Sequence, residues 1–379
     1  MARFSNGKAP YLRVADTKND TSRIMLDFVI ALLPCILFAI IKNGIIPFAK
    51  GYVSFFYALY PLLFILVGGL SSMLFEAAAL SIMYEDARTF KGLLKRMSTS
   101  YSLIPGLILA LILPLHTPMW ILVLGVFFAT IVGKMIFGGF GQNIFNPALV
   151  GYIFVVMAFG AVINDKYFNA AESYDLVAAA TPLANLSSSP LDYNSVVAPY
   201  GNLFNFFLGT IPGAMGETSV LCCLLGYAYL VWRKVINFRV PVIYVGTVFA
   251  ITLIIGLVNG TGLWYPLFNI MSGGLMFGAV FMATEPVTTP KNVLGKTMFA
   301  VTLGALTVLF RLVGSMPEGV CTAILTMNVF GLLIDRYSAK IRAVGINKKN
   351  VSGLIIYSAI TLAIIVYSII MVSISYGGA

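Results

Sequence analysis

Eleven stretches of the chain are apolar over most of a helix's length, at about 24–41, 53–84, 101–114, 118–136, 146–163, 219–236, 240–258, 268–284, 297–313, 318–334 and 351–375, with polar or basic segments between them. A helix needs about 20 apolar residues to cross a bilayer, and most of these stretches supply them. The exceptions are 101–114, which is short, and 268–284, which is marginal. Each ends in a proline motif, Pro114-Leu115-His116-Thr117-Pro118 and Glu285-Pro286. Such pieces read as broken or half-crossing helices, tolerated in a bilayer only where protein or a polar cavity covers the freed backbone groups. The pattern predicts an all-α polytopic membrane protein.

Basic residues give these spans a direction. With the N-terminus in the cytoplasm and the chain alternating sides, the inside segments collect 20 of the 24 Lys and Arg. The outside ones keep Lys42, Lys50, Lys166 and Arg311. Positive charge is enriched in short cytoplasmic loops, so the longest loop, 164–218, is expected outside. The expected division is a cytoplasmic segment 1–23, a first membrane repeat 24–163, the outside loop 164–218, a second repeat 219–334, a basic cytoplasmic loop 335–350 and an additional span in 351–379.

The word repeat rests on internal similarity. Ser102–Phe154 lies over Ser272–Leu333: a short apolar run breaks at proline, a full span follows, and a glycine-bearing turn opens another helix. Five spans separate matching elements, so the copies face opposite ways. Two inverted repeats of five helices with broken members are a transporter signature, here with one extra C-terminal span.

Composition agrees with burial in lipid. Hydrophobic residues make up 59% and charged ones 10%, against about 25% charged in soluble domains. The net charge of +10 lies in short loops and is not interleaved with aromatics, so nucleic acid is not an expected partner. Cys35, Cys222, Cys223 and Cys321 sit in apolar runs without metal-ligand spacing, which points to packing and not to disulfides, an iron–sulfur centre or another metal site. The one histidine, His116, stands between prolines at a segment end and reads as structural or interfacial.

Five ordered motifs go further. They are Ser22–Asp27 at the first span, Gly138–Gly151 (GGFGQNIFNPALVG), Gly209–Ser219 (GTIPGAMGETS), Phe281–Thr288 (FMATEPVT) and Gly314–Asp335 (GSMPEGV…NVFGLLID). Together with Asp175–Leu183 in the long loop, they resemble the RnfD/NqrB family from about residue 9 to 345. Those proteins are flavin-carrying membrane subunits of Rnf complexes and of sodium-pumping NADH:quinone reductases. The resemblance implies FMN bound through a phosphoester to Thr181, with Asp175, Ala180 and Pro182 around it, a flavin transferase to attach it, and a second, non-covalent riboflavin. Ala178 and Ala179 stand where the family usually has Ser and Gly. The short N-terminal segment favours the Rnf-type subunit, which passes electrons between ferredoxin and NAD with sodium or proton movement in a plasma membrane. This chain has neither a dinucleotide fingerprint nor a cysteine cluster, so partner subunits bearing iron–sulfur centres and flavin must do the terminal chemistry, and no catalytic residue is assigned.

A flavin accepts one or two electrons, and the protein fixes its position and potential. The turn at Gly138, Gly139 and Gly141, leading to Asn143, Asn146 and Pro147, presents backbone N–H groups suited to a phosphate or an anionic ring. The same glycines also suit close helix packing. Of the ionisable residues in or beside apolar runs, Asp27, Glu217, Glu285 and Glu318 fall in the motifs and are expected on an ion path or at a flavin. Lys134 and Asp335 read as interfacial anchors. Two rival readings are a solute channel of urea-transporter-like plan without a redox role, and a structural subunit that has lost its flavin; Thr181 discriminates both.

Overall fold

A backbone surrounded by hydrocarbon must bond its own N–H and C=O groups, and helices do so within one segment. The computed structural model describes residues 4–6, 12–14, 21–164, 182–183, 186, 191–314, 319–345 and 347–376, and each apolar stretch folds as helix. In order the main helices are α1 (Thr21–Ala49), α2 (Tyr60–Met83), α3 (Phe90–Ser100, in a basic segment between two apolar stretches), α4 (Leu103–Ile112), α5 (Met119–Met135), α6 (Pro147–Asn164), α7 (Val220–Trp232), α8 (Arg239–Val258), α9 (Trp264–Met271), α10 (Leu275–Met282), α11 (Val293–Leu312), α12 (Gly319–Val344) and α13 (Lys348–Tyr376). Among the described residues, six helices are long and apolar enough to cross a membrane, seven if the bent pair α9 and α10 makes one crossing, and four more are shorter. The chain is a multi-pass membrane protein. Among the described residues the only strands form a small antiparallel hairpin, Phe4–Asn6 with Leu12–Val14.

Helix bounds differ from the hydropathy pattern where hydropathy has nothing to say. The first span runs past residue 41 through a π-turn, Ile41–Ile45, so Lys42 is buried in the helix and not in an outside loop. The expected loop 335–350 is mostly helix: α12 continues to Val344 and ends at Gly345, whose φ of 80° is the left-handed conformation of a helix C-cap. His116 packs structurally, its Nε2 bonded to the Ile163 carbonyl at the end of α6.

Packing depends on small residues where helices touch. At the crossing of α2 and α4, a Cβ on Gly106 would lie 2.1 Å from the Gly68 carbonyl oxygen, and one on Gly68 would lie 2.8 Å from that of Gly106. Only glycine permits this approach. The largest fully buried side chains include Phe64, Phe206, Tyr244, Tyr265, Phe268, Phe277, Phe281 and Phe299, so one core joins the early and late helices.

Both helix breaks are closed by protein. The carbonyls of Leu111 and Leu113 at the end of α4 accept from the amides of Gly216 (2.8 Å) and Met215 (3.2 Å), which the 209–218 loop brings inward. At the second break α9 and α10 meet at 61°. There Arg311 of α11 donates to the Asn269 carbonyl at 2.7 Å and the Ser272 carbonyl at 3.4 Å. Orphan carbonyls at helix ends need such partners.

The last span is not loose. Thr302 of α11 bonds Tyr357 and Thr361 of α13, Tyr357 donates to the Met298 carbonyl, and Asn259 of α8 donates to Ser373. Its opposite face stays uncovered by the chain, with Ile355, Ile356, Ile360 and Leu362 exposed.

Candidate functional site

A cavity of about 50 Å³ lies where α1, α4, the end of α5, the glycine turn and the segment after α10 converge. Its walls are mainly apolar, including Met25, Phe28, Ile104, Ile108, Phe140 and Phe281. Lys134, Asn143, Asn146 and Glu285 form its polar part. Tyr101 also lines it, held at a left-handed φ of 53° at the end of α3, with its ring edge-on to Phe140 at 4.9 Å. Few non-glycine residues adopt this backbone conformation, and here it sets the tyrosine against the cavity wall. The Tyr101 hydroxyl bonds Ser22 at 2.9 Å.

Asn143 links the two sequence motifs physically. Its Nδ2 donates to the Phe145 carbonyl at 3.0 Å and to Glu285 Oε1 at 2.9 Å. The other oxygen of Glu285 accepts from Thr288 at 3.1 Å. Asn146 caps α6, its Oδ1 accepting from the Ala148 amide at 3.1 Å, while its Nδ2 donates to the Met282 carbonyl at 3.4 Å. Asn328 of α12, in the amide orientation that satisfies both its ends, accepts from the Asn146 amide at 3.0 Å and donates to the Ile324 carbonyl at 3.3 Å. Pro147 then opens α6, where a missing N–H costs nothing.

The glycine turn is used differently from the expected anion cradle. Gly138, Gly139 and Gly141 all have positive φ, at 110°, 93° and 88°, so the turn itself needs them. The Gly138 and Gly139 amides bond the carbonyls of Met135 and Lys134. These two amides therefore cap α5 and do not point at a ligand; Phe140 and Asn143 are the turn residues that face the cavity.

Lys134 is not an interfacial anchor. It is 3% exposed and its Nζ donates to both oxygens of Glu76, at 2.9 and 2.7 Å, and to the Ser100 carbonyl at 2.5 Å. Glu76 is 0% exposed and also accepts from the Ser100 hydroxyl. Hydropathy counts a lysine near a span end as an anchor, and no local signal marks a partner 58 residues away. Asp335 is half-buried and accepts from the Lys291 and Asn292 amides, holding the turn into α11.

The expected ion-path residues do not form one cluster. Asp27 pairs with Arg233 at 3.1 Å and accepts from the Tyr229 hydroxyl at 2.9 Å, joining α1 to α7. Glu285 lies in the cavity. Glu217 is buried beside Gly274, where an added Cβ would come within 2.4 Å of its Oε2. Glu318, together with Asp175, Ala180 and Thr181, lies outside the described residues, whereas Pro182 is described and buried.

The motif residues that converge on this cavity belong to a family pattern covering most of the chain: the model of the NQR2, RnfD, RnfE family matches residues 7–343. The chain belongs to this family. It is 32% identical, over 89% of its length and 96% of the relative's, to the D component of the proton-translocating ferredoxin:NAD(+) oxidoreductase complex of Clostridium ljungdahlii. It is 33% identical, over 90% and 95% of the two lengths, to the D component of the Na(+)-translocating ferredoxin:NAD(+) oxidoreductase complex of Acetobacterium woodii. Against the B component of the Na(+)-translocating NADH-quinone reductase of Chromohalobacter salexigens the identity is 36%, but over 62% of this chain and 57% of that one. Within the family, then, the two ferredoxin:NAD(+) oxidoreductase proteins match nearly end to end and the quinone reductase protein only in part.

Proposed function

We propose that the chain is the D component, a membrane subunit, of an ion-translocating ferredoxin:NAD oxidoreductase complex, carrying electrons on flavin while ions cross the bilayer. The observation that carries this reading is the near end-to-end match to the D components of two such complexes. The partners are the iron–sulfur and flavin subunits of the same complex in a plasma membrane. The N-terminus faces the cytoplasm and the 164–218 loop faces outside, the orientation that the distribution of Lys and Arg favours. Helices α1, α2, α4, α5 and α6 form one half and α7 to α12 the inverted second half, with α13 added. Two closed breaks, one in each half, support that division.

FMN is carried covalently on Thr181 of the outside loop, where the hydroxyl has small neighbours on its N-terminal side. A second flavin, held without a covalent bond, belongs in the cavity. The lining suits it: apolar walls for the ring faces, an amide at Asn143 and a carboxylate at Glu285. Seating a three-ring flavin requires the Phe140 ring to swing off Tyr101, because the closed cavity holds less than that. When bound, flavin supplies one- and two-electron transfer. The chain's own part is to orient the ring, exclude water with Phe28, Phe140 and Phe281, and keep Glu285 within reach of the ring edge through Asn143.

Two relatives of nearly equal identity, 32% and 33%, are named for different ions, one for protons and one for Na(+). Ion identity is therefore set by details finer than the family pattern, at Glu217, Glu285, Asp27 or Glu318. The deciding experiment is a denaturing gel and peptide mass on the chain produced with a flavin transferase. A fluorescent band and a Thr181 peptide heavier by one FMN less a water support the reading. A colourless, unmodified chain that gives solute flux in vesicles supports a channel instead.

A further inference from the structure

The seam between α1 and α7 has contacts at four heights. At one end Asp27 meets Arg233 and Tyr229. One turn further along α1, Ala31 meets Gly226, where an added Cβ would lie 2.6 Å from the Ala31 carbonyl oxygen. At the next turn Cys35 meets Cys223, with Sγ atoms 4.0 Å apart and both side chains 0% exposed. At the far end Lys42 donates to Thr218 at 3.0 Å and to the Ile211 carbonyl at 2.5 Å. Residue numbers rise on one helix as they fall on the other, so the helices run antiparallel. Gly226 permits the close approach, and the two thiols follow from it one turn away. Cys222, next in sequence, makes no contact of this kind with Cys35.

We propose that Cys35 and Cys223 form a dithiol site that closes to a disulfide and staples α1 to α7. A disulfide needs the sulfurs at about 2.05 Å, so closure asks for roughly 2 Å of movement, within the reach of two side-chain rotations. The oxidant is a lipid-soluble quinone, an uncharged two-electron acceptor that partitions into the apolar surroundings of the pair; with both thiols 0% exposed, it reaches them only when the seam between α1 and α7 opens. Two S–H bonds break, one S–S bond forms, and both hydrogens with their electrons pass to the quinone oxygens, giving a quinol. The staple has a consequence beyond chemistry: α1 and α7 are the first helices of the two halves proposed above. Transport by inverted repeats works through movement of one half against the other, and a covalent bond across the seam stops it. The thiol chemistry stands without the flavin reading; the effect on ion movement rests on it.

The test uses the intact complex in membrane vesicles. These are treated with a fully substituted benzoquinone, which cannot add to thiols, then washed. Free thiols are alkylated under denaturing conditions and the peptides are weighed without reductant. The expected result is a linked Cys35–Cys223 peptide about 2 Da lighter than its two reduced parts, with Cys222 alkylated. Ion uptake is lost in parallel and returns with dithiothreitol, while Cys223→Ser and Cys35→Ala vesicles are unaffected by the quinone. Recovery of Cys35 and Cys223 as alkylated thiols, or a link through Cys222, overturns the site. A linked chain with undiminished uptake overturns the staple. Vesicles that show neither flavin nor uptake before oxidation count against the proposed function, and the peptide masses still decide the thiol chemistry.

Discussion

Substituting Lys134 by methionine leaves Glu76 as a carboxylate buried among α2, α3 and α5. In the native chain that carboxylate has two bonds from Lys134, at 2.9 and 2.7 Å, and one from the Ser100 hydroxyl. The substitution removes both charged donors and frees the Ser100 carbonyl as well, which had accepted at 2.5 Å. Breaking a buried pair from one side costs about 3–5 kcal/mol, because the charge left behind has no compensation. Neither side chain is above 3% exposed, so water cannot make good the loss. The double variant Glu76→Leu with Lys134→Met has no stranded charge, and a buried pair replaced by apolar groups of similar volume is neutral or stabilised by ~1–4 kcal/mol. Stability is read as the midpoint of loss of the monodisperse peak on heating in detergent, with all variants at one heating rate. The single variant is expected to fall well below wild type and the double variant to recover most of the difference. If Lys134→Met melts with wild type, or the double variant is no better than the single, the pair is not a structural tie. Ion uptake separates a second question: a stable double variant that no longer moves ions gives the Glu76–Lys134 pair a part in transport beyond the structural tie.

Five further outcomes are expected. Gly106→Leu drives a side chain into the Gly68 carbonyl, 2.1 Å from where the Cβ would sit, and overpacking of this kind costs ~1–3 kcal/mol or more; the check is yield and melting in detergent. Thr181→Val removes the fluorescent band on a denaturing gel while acid-extractable flavin from the folded protein persists. Asn143→Leu lowers that extractable flavin and frees Glu285, whereas Phe140→Ala raises flavin affinity by opening the Tyr101 contact; both are read by fluorescence titration of stripped protein. At the exposed corner before α3, a side-chain bond from Arg96 holds the Asp86 carboxyl below its ordinary 3.8. A carboxyl depressed by folding contributes stability above its unfolded value and loses it as pH falls through the folded one. Hydrogen-exchange protection of residues 85–100 should therefore hold steady down to pH 3.8 and drop only below it.

What hydropathy reads, it reads because the bilayer enforces it. Long apolar runs must become helix, so the spans were legible, and so was a broken piece near 268–284; the bend itself lies at 272–274, between α9 and α10, and not at the expected Glu285-Pro286 motif. The overrun of α12 to Val344 was not, since Arg336, Lys340 and Arg342 are good helix formers that a membrane pattern counts as loop. Asn143, Asn146 and Glu285 could be chosen from motifs, and they meet in the cavity. Tyr101 and Phe140 could not, because their role comes from the strained end of α3 and the geometry of the glycine turn. Long-range pairs were equally hidden: Glu76 and Lys134 are 58 residues apart, and Asp27 and Arg233 are 206. A single chain gives no way to match them before the helices are packed.

The cavity's polar groups are all paired before any ligand arrives, and this decides what binding does. Asn143 is engaged with Phe145 and Glu285, Lys134 has spent its donors on Glu76 and Ser100, and Asn146 bridges Ala148 and Met282. A ligand that takes the Asn143 N–H now given to Glu285 leaves that carboxylate with Thr288 alone. The exchanged bond is also a tie between the early and late parts of the chain, as are those from Asn146 to Met282 and Asn328. Occupancy of the cavity is thereby coupled to how firmly the two parts hold each other. A ligand whose charge changes on reduction shifts that balance without moving, because its bond to the Asn143 amide strengthens as the ligand gains negative charge. Under the function proposed above, the ligand and the buried carboxylate compete for one N–H donor, and that competition links the ligand's charge to Glu285.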